Sequence, residues 1–422
     1  MNRSWLPLSL LLFGALFPIR AQIPVQSETI VPPSDQVSES SARQELARAL
    51  EKLGKLEAAK SELQKLLRIR PGDPFLYADL ADVEAARGHA RRSRDLYQQA
   101  LSKSNQNRDL LLRYARQAST WGDFYLAERI LRSHLAEHPR DVDAALDLAS
   151  VLIGEEQYEA AEVEYRSLTR EPRARQRAFI GLATSHLLKQ DFHAVLPLTE
   201  EVLKVNPDQV EAISLRAEAL RRLHRYDDAK KEFRQLSTLP AGRLSGWTGL
   251  GQVARAQRDE MAAEQYFRRA QESDPRDIRA RYLLANKHQT SVEFARSIVG
   301  WPDLTAADLN TLAGLYAADR SLDSAIATYQ AALNRDPDYF PARLGLAQSL
   351  ATAHRYDQSI ELLTRLQAEF PGNAKIVLAL ARVLSWSRRY DDAMRVYRDL
   401  TVLNPTDTVP PKEMARVATW RK

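Results

Sequence analysis

The sequence contains one close pair of metal-ligating side chains, His134 and His138. Their four-residue spacing would place both on one face of a helix. Zinc sites of the zincin type use this spacing, with a glutamate directly after the first histidine as general base. Leu135 fills that position here, and the nearest acid, Glu137, comes too late. We therefore predict no metal site at this pair.

Two pairs of neighbouring carboxylates, Asp227-Asp228 and Asp391-Asp392, could serve acid–base chemistry. Both pairs stand where a helix is expected to begin, and carboxylates in a first turn interact favourably with the helix dipole. That structural role explains them fully. The sequence has neither a Gly-rich phosphate loop nor a nucleophile elbow, so we predict no catalytic residue, no cofactor and no enzyme activity.

The composition excludes further kinds of site and partner. The 422 residues include no cysteine, which excludes disulfides, thiolate metal sites and a thiol nucleophile. The net charge of +5 is small for this length. We therefore expect a helical surface of mixed charge and no nucleic-acid partner.

The sequence pattern repeats with a period of 34 residues, which is typical of a solenoid. One series of mostly small residues is Ala59, Ser93, Ala127, Ala161, Val195, Ala229 and Ala263, then Ala325, Ser359 and Ala393. A second series, twelve residues earlier in each unit, is Ala47, Ala81, Ala115, Ala149, Ala183, Ala217 and Gly251, then Ala313, Ala347 and Ala381. Because small side chains let helix axes approach closely, each unit is predicted to be a pair of packed helices.

Larger side chains recur between these small ones. They are Leu63, Tyr97, Leu131, Tyr165, Phe233, Phe267, Tyr329, Leu363 and Tyr397. We interpret this column as core packing rather than as a cofactor site.

The clearest unit carries the residues Trp247, Leu250, Gly251, Ala263, Phe267, Ala270 and Pro275. This pattern resembles the tetratricopeptide repeat, and related units cover about residues 40–407. The resemblance implies an all-α fold, a right-handed superhelical solenoid of antiparallel helix pairs.

The 34-residue phase breaks once, between Ala263 and Ala325, where one unit is six residues short. This shortened unit is either a functional bend or a tolerated deletion. The predicted organisation is a signal peptide at 1–21, a flexible linker at 22–40, units 1–7 at 41–277, a shortened unit at 278–305, units 9–11 at 306–407 and a C-terminal capping helix at 408–422.

The first residues predict export. Arg3 precedes an apolar stretch over residues 6–17, and the small Ala21 is followed by Gln22. This is the layout of a cleaved secretory signal peptide. The apolar stretch is too short for a membrane-spanning helix, although an uncleaved anchor is the alternative. We expect a periplasmic protein with no membrane span after the signal is removed.

The resemblance also implies that first helices line a concave groove where a protein or peptide binds. In units 6 and 7 the polar groove positions are Glu211, Ser214, Glu218, Arg221, Ser245, Thr248, Gln252 and Arg255. The candidate binding residues among them are Glu218, Arg221, Thr248, Gln252 and Arg255. In other units the apolar candidates are Phe75, Leu112, Ile180, Leu187, Leu344 and Leu378. Arg221 and Arg255 lie 34 residues apart and would hold a carboxylate or phosphate between them. The alternative is that they pair with Glu218 or with water.

Two functions follow from these observations. The first is a scaffold that mediates protein–protein interactions in the envelope of a Gram-negative cell. The second is a component of a polysaccharide-export system that contacts glycan or the export machinery. The run from Ala381 to Ala393 is similar to repeats in envelope proteins of bacteria that export exopolysaccharide. Neighbouring synthase and export genes would favour the second function.

Overall fold

The computed structural model describes residues 35–275, 277–285, 304–370, 373–403 and 409–420. Within these ranges the regular elements are helices, arranged as successive antiparallel pairs, so the predicted all-α repeat fold is confirmed. The first helices of units 1–11 are Asp35–Lys52, Pro74–Ala86, Arg108–Thr120, Val142–Gly154, Arg175–Leu188, Val210–Arg222, Arg243–Ala256, Ile278–Ala285, Ala306–Ala318, Phe340–Thr352 and Ala374–Trp386. The second helices, without unit 8, are Leu56–Ile69, Ala90–Lys103, Phe124–Glu137, Tyr158–Leu168, Phe192–Leu203, Tyr226–Thr238, Glu260–Ser273, Leu322–Arg335, Tyr356–Glu369 and Tyr390–Leu403.

The described helices form two compact bodies. The middle body contains Leu135–Tyr329. The terminal body contains the described residues of Arg20–His134 and Gln330–Lys422, so it joins early and late repeats of the chain.

Both small-residue series are buried where the two helices of a unit meet. The twelve-residue spacing corresponds to direct contact in two units. The Ser93 hydroxyl donates a hydrogen bond to the carbonyl of Ala81 at 2.6 Å, and Ser359 donates to Ala347 at 2.7 Å. Because the hydroxyl reaches the opposite backbone, a larger side chain at these positions would force the helices apart.

The column of larger residues is also buried, as predicted for core packing. Several of these rings press against glycines of a neighbouring first helix. A Cβ added at Gly249 would lie 2.2 Å from the Phe233 ring, and one added at Gly181 would lie 2.2 Å from the Tyr165 ring. These glycines therefore make room for aromatic side chains.

The first helices end in a repeated left-handed turn. In unit 2 the amide of Gly88 donates to Ala85, and the amide of His89 donates to Glu84, which is the Schellman arrangement. The residues with positive φ at the equivalent position are Gly54, Gly88, Gly122, Glu156, Gln190, His224, Arg258, Arg320, His354 and Arg388. Only the first three of these are glycine, although the left-handed conformation disfavours other residues.

The helix boundaries refine the predicted organisation. The first helix begins at Asp35, inside the segment predicted as a linker up to residue 40. Thr305 is the N-cap of the unit 9 first helix and forms a capping box with Asp308. A C-terminal helix spans Val409–Trp420 and packs on the last second helix, with Val417 fully buried. The predicted signal peptide and residues 286–303 of the predicted shortened unit lie outside the described residues.

Candidate interaction surface on the first helices

Adjacent first helices bring equivalent residues of successive units together. Arg113 donates a hydrogen bond to Asp79, 34 residues earlier, at 2.7 Å. Arg177 does the same to Asp143 at 2.6 Å. At these places the side chains of equivalent positions on adjacent first helices are therefore in direct contact.

In units 1–3 such contacts form a hydrogen-bonded network. Asp79, which is buried, accepts hydrogen bonds from Gln44 at 2.9 Å and from Arg113. Arg113 also pairs with Asp82, which in turn accepts a hydrogen bond from the buried Tyr97 hydroxyl. Burial raises the pKa of Asp82, although Arg113 opposes that rise. The network fastens three first helices together, and its carboxylates are already engaged.

The predicted residues of unit 6 form an ion-pair cluster. Glu218 accepts two hydrogen bonds from Arg221, at 2.6 and 2.7 Å, and one from Arg222 at 2.8 Å. Burial raises the pKa of Glu218, but the hydrogen bonds and charges of the two arginines outweigh it and the pKa is lowered. Arg221 thus adopts the predicted alternative, pairing with Glu218.

The predicted residues of unit 7 have other partners. Arg255 donates to the carbonyl of Leu283 at 2.9 Å, and its guanidinium lies 4.8 Å from the centre of the Phe267 ring. Thr248 and Gln252 are half-buried on the same helix. Because Arg221 and Arg255 are engaged separately, a shared anion site between them stays a prediction.

The apolar candidates divide into two groups. Phe75 is exposed, and Ile180, Leu344 and Leu378 are half-buried. Leu112 and Leu187 are buried, so the prediction that they line the groove is wrong. Leu187 belongs to a core cluster, because its side chain packs inside the array rather than on its surface.

Glu211, in the first turn of the unit 6 first helix, differs from the carboxylates above. It is half-buried, and burial raises its pKa. Within the described part of the chain it has no hydrogen-bond or ion-pair partner. The repeat spacing predicts a groove position for it, but nothing in the local sequence distinguishes it from the paired Glu218.

The described residues contain neither a metal-binding cluster nor a membrane-spanning helix. No group of three or more His, Cys, Asp or Glu side chains in them is arranged to hold a metal ion. None of their helices combines the length and the apolar character that crossing a membrane requires.

Comparison with known proteins identifies the type of repeat. Family models of the tetratricopeptide repeat match residues 40–73, 214–278, 316–367 and 350–409. The chain contains tetratricopeptide repeats. A search of curated proteins finds no match.

Similar solved structures are themselves repeat proteins. A tetratricopeptide repeat protein from Parabacteroides merdae is 17% identical, with 60% of this chain and 100% of that chain covered and a TM-score of 0.47. Yeast Tom70 is 15% identical, with 92% and 96% covered and a TM-score of 0.39. A thermophilic TPR protein from Thermus thermophilus is 18% identical, with 42% and 96% covered and a TM-score of 0.37. At these values the likeness carries no argument about function.

Proposed function

We propose that this protein is a non-enzymatic, exported scaffold of the bacterial envelope, which holds a protein partner on the first helices of units 6 and 7. Repeat arrays of this kind present extended surfaces, and tetratricopeptide repeats support a role in protein–protein interaction. Export to the periplasm is inferred from the N-terminal sequence alone.

The observation that carries the proposal is the unpaired carboxylate of Glu211. A partly buried charge without a partner is unfavourable, and a ligand that supplies a cation removes that penalty. The partner would place a lysine or arginine side chain against Glu211. Thr248 and Gln252, half-buried on the adjacent first helix, offer hydrogen bonds to the backbone of the bound segment.

The test is capture of partners from an envelope extract by the full chain, followed by binding measurements with variants. Glu211→Gln should weaken binding about tenfold or more, as loss of a buried charged contact does. The double variant Arg221→Ala with Arg255→Ala should also weaken binding. The introduced glutamine and alanine are good helix formers, so these variants should keep the helices intact.

Lys230→Ala with Lys231→Ala is the matched control on a second helix of the same unit. It should leave binding unchanged. A stronger effect of the control than of Glu211→Gln would move the binding surface to the second helices and refute the proposal.

A second function is supported by one residue. Trp386 remains 44% exposed at the end of the unit 11 first helix, within the run that is similar to repeats of polysaccharide-exporting envelope proteins. An exposed indole can stack on a sugar ring. Under this alternative the protein contacts glycan or the export machinery. Titration with extracted envelope polysaccharide should then change the tryptophan fluorescence of the wild type, and Trp386→Ala should abolish saturable binding.

A further inference from the structure

Inside the terminal body, turns of units 2 and 3 contact turns of much later repeats in one constant register. The side-chain amide of Asn373 donates to the carbonyl of Gly122 at 3.4 Å, across 251 residues. The same separation relates Phe124 to Lys375, whose ammonium lies 4.1 Å from the centre of the ring. Both contacts join unit 3 to unit 11, and the contact of Gly88 with Tyr339 joins unit 2 to unit 10 at the same separation.

Gly88 and Tyr339, again 251 residues apart, show how closely the two sides fit. A Cβ at Gly88 would lie 2.0 Å from the Cδ2 atom of Tyr339, so only glycine leaves room for the ring. Gly54 occupies the equivalent turn of unit 1 with a similar positive φ, yet an added Cβ there meets nothing within 4 Å. The contact with Tyr339 thus constrains Gly88 in addition to its backbone conformation.

Arg94 makes the longest-reaching contacts of this interface. Its guanidinium pairs with Asp123 at 2.7 Å, donates to the carbonyl of Glu369 at 3.3 Å and lies 4.7 Å from the centre of the Phe370 ring. Burial raises the pKa of Asp123, and Arg94 opposes that rise. Cation–aromatic contacts and charged hydrogen bonds therefore join the two sides, beside the packing of Tyr339 against Gly88.

Residues from both sides of the interface line an open cavity of about 390 Å³. One wall comes from the first helices of units 2 and 3 and includes Asp82, Gln117 and Trp121. The opposite wall is Tyr339, Phe340 and Pro341. Among the residues that the structure describes, the buried indole nitrogen of Trp121 has no hydrogen-bond partner.

We propose that this interface is a clasp that opens and closes, and that it controls access to the first-helix surface of units 2 and 3. The turn clasp consists of Gly88, Arg94, Gly122 and Phe124 on one side and Tyr339, Phe370, Asn373 and Lys375 on the other. The two sides are joined by a few hydrogen bonds, two cation–aromatic contacts and one ring against a glycine, so an open state is accessible. Arg94 and Lys375 are half-buried, and salt therefore screens their charges in part.

A distance measurement in the full chain tests the clasp directly. The protein has no cysteine, so Asp95→Cys with Ala368→Cys provides two unique sites for spin labels. Both residues are exposed and adjoin the contact of Arg94 with Glu369. The wild-type background should give a short distance, and raising the salt from about 0.1 M to about 1 M should add a longer population.

Matched glycine variants separate the effect of the clasp contact from the effect of backbone strain in the turn. Gly54→Ala and Gly88→Ala place the same methyl group in equivalent turns, and only the second meets Tyr339. Gly88→Ala should shift the distances to the longer population, whereas Gly54→Ala should not. If Gly88→Ala does not fold, Tyr339→Ala removes the ring instead and should cause the same shift. Identical distances in all variants would overturn the proposal.

Access is measured with a separate single-cysteine variant, Ala85→Cys, which lies in the cavity wall. Opened states of such equilibria are commonly populated at about 0.1–10%. Lys375→Ala, which weakens the clasp outside the cavity wall, should therefore accelerate thiol modification by at least about tenfold, and Gly54→Ala should leave the rate unchanged. Equal rates in the two backgrounds would refute control of access by the clasp.

Discussion

The left-handed residue that follows the first helices of units 1–7 and 9–11 is a repeated feature without a repeated residue type. Gly54, Gly88 and Gly122 supply it in the first units, while Glu156, Arg258 and others supply it later. Alignment of the units with one another gives no signal for it, because the position is occupied by glycine, acids, bases and amides alike. The backbone of the Schellman turn, rather than side-chain chemistry, is what recurs.

Arg258→Gly should therefore stabilise the protein. Arg258 is exposed and has φ of 63°. Relief of the left-handed cost, about 1–2 kcal/mol, is partly offset by the greater freedom of glycine in the unfolded chain, which leaves a gain of about 0.5–1 kcal/mol. Urea unfolding monitored by circular dichroism measures it. Arg258→Ala keeps the strain and should show no gain, so an equal midpoint for the two variants would contradict the explanation.

Two glutamates on one helix should respond oppositely to removal of their charge. The raised pKa of Glu211 means that its ionisation opposes folding, so Glu211→Gln should stabilise the protein at pH 7. That gain should vanish as the pH falls below about 4.3, the unfolded value. The lowered pKa of Glu218 means that its ionisation favours folding above the unfolded value.

Glu218→Gln should accordingly cost about 1.5–3 kcal/mol at pH 7, and the cost should shrink as the pH falls through the folded pKa. Urea unfolding of both variants at several pH values checks the two slopes. The same sign of effect at pH 7 for both would show that their environments are assigned wrongly.

At the scale of helices, the 34-residue period is sufficient to predict most of the architecture. The two small-residue series mark the helix contacts because close packing admits few side chains there, so the twelve-residue spacing alone pairs Ala81 with Ser93. Surface residues are harder to place. Leu112 follows the spacing of a groove residue yet is buried, since a few degrees of helix rotation decide which neighbour it faces.

Ala127→Trp tests the helix contact. Ala127 is fully buried on the second helix of unit 3, and a tryptophan there should cost about 1–3 kcal/mol or more through overpacking. Ala136→Trp places the same side chain at an exposed position of that helix and should be nearly neutral. Thermal unfolding compares them. Equal midpoints would mean that the phase of the repeat is misassigned.

At the scale of the whole molecule, the N-terminal sequence predicts that the mature chain begins at Gln22. Intact-mass analysis of protein purified from the envelope fraction of the native host should show loss of residues 1–21. Protein that keeps Met1 in that fraction would support the anchored alternative and contradict a freely periplasmic scaffold.

The pairing of early with late repeats could not be predicted from the sequence. Periodicity describes each unit and its neighbour, whereas the contact of Gly122 with Asn373 depends on how small rotations add up over 251 residues. The residue types of Gly88 and Tyr339 do not predict that the two residues are in contact. The shape complementarity becomes visible only when the two turns are placed together.

The 251-residue separation between Gly122 and Asn373 also predicts the order of the folding steps. Helix pairs close loops of a few residues, while the contact between Gly122 and Asn373 closes one of 251 residues. Closure of so long a loop in a disordered chain costs roughly 3 kcal/mol more than closure of a twelve-residue loop. The helix pairs should therefore form first and the early and late turns should meet last. Substitutions at Tyr339 or Lys375 would then accelerate the first step of unfolding and leave the rate of refolding almost unchanged.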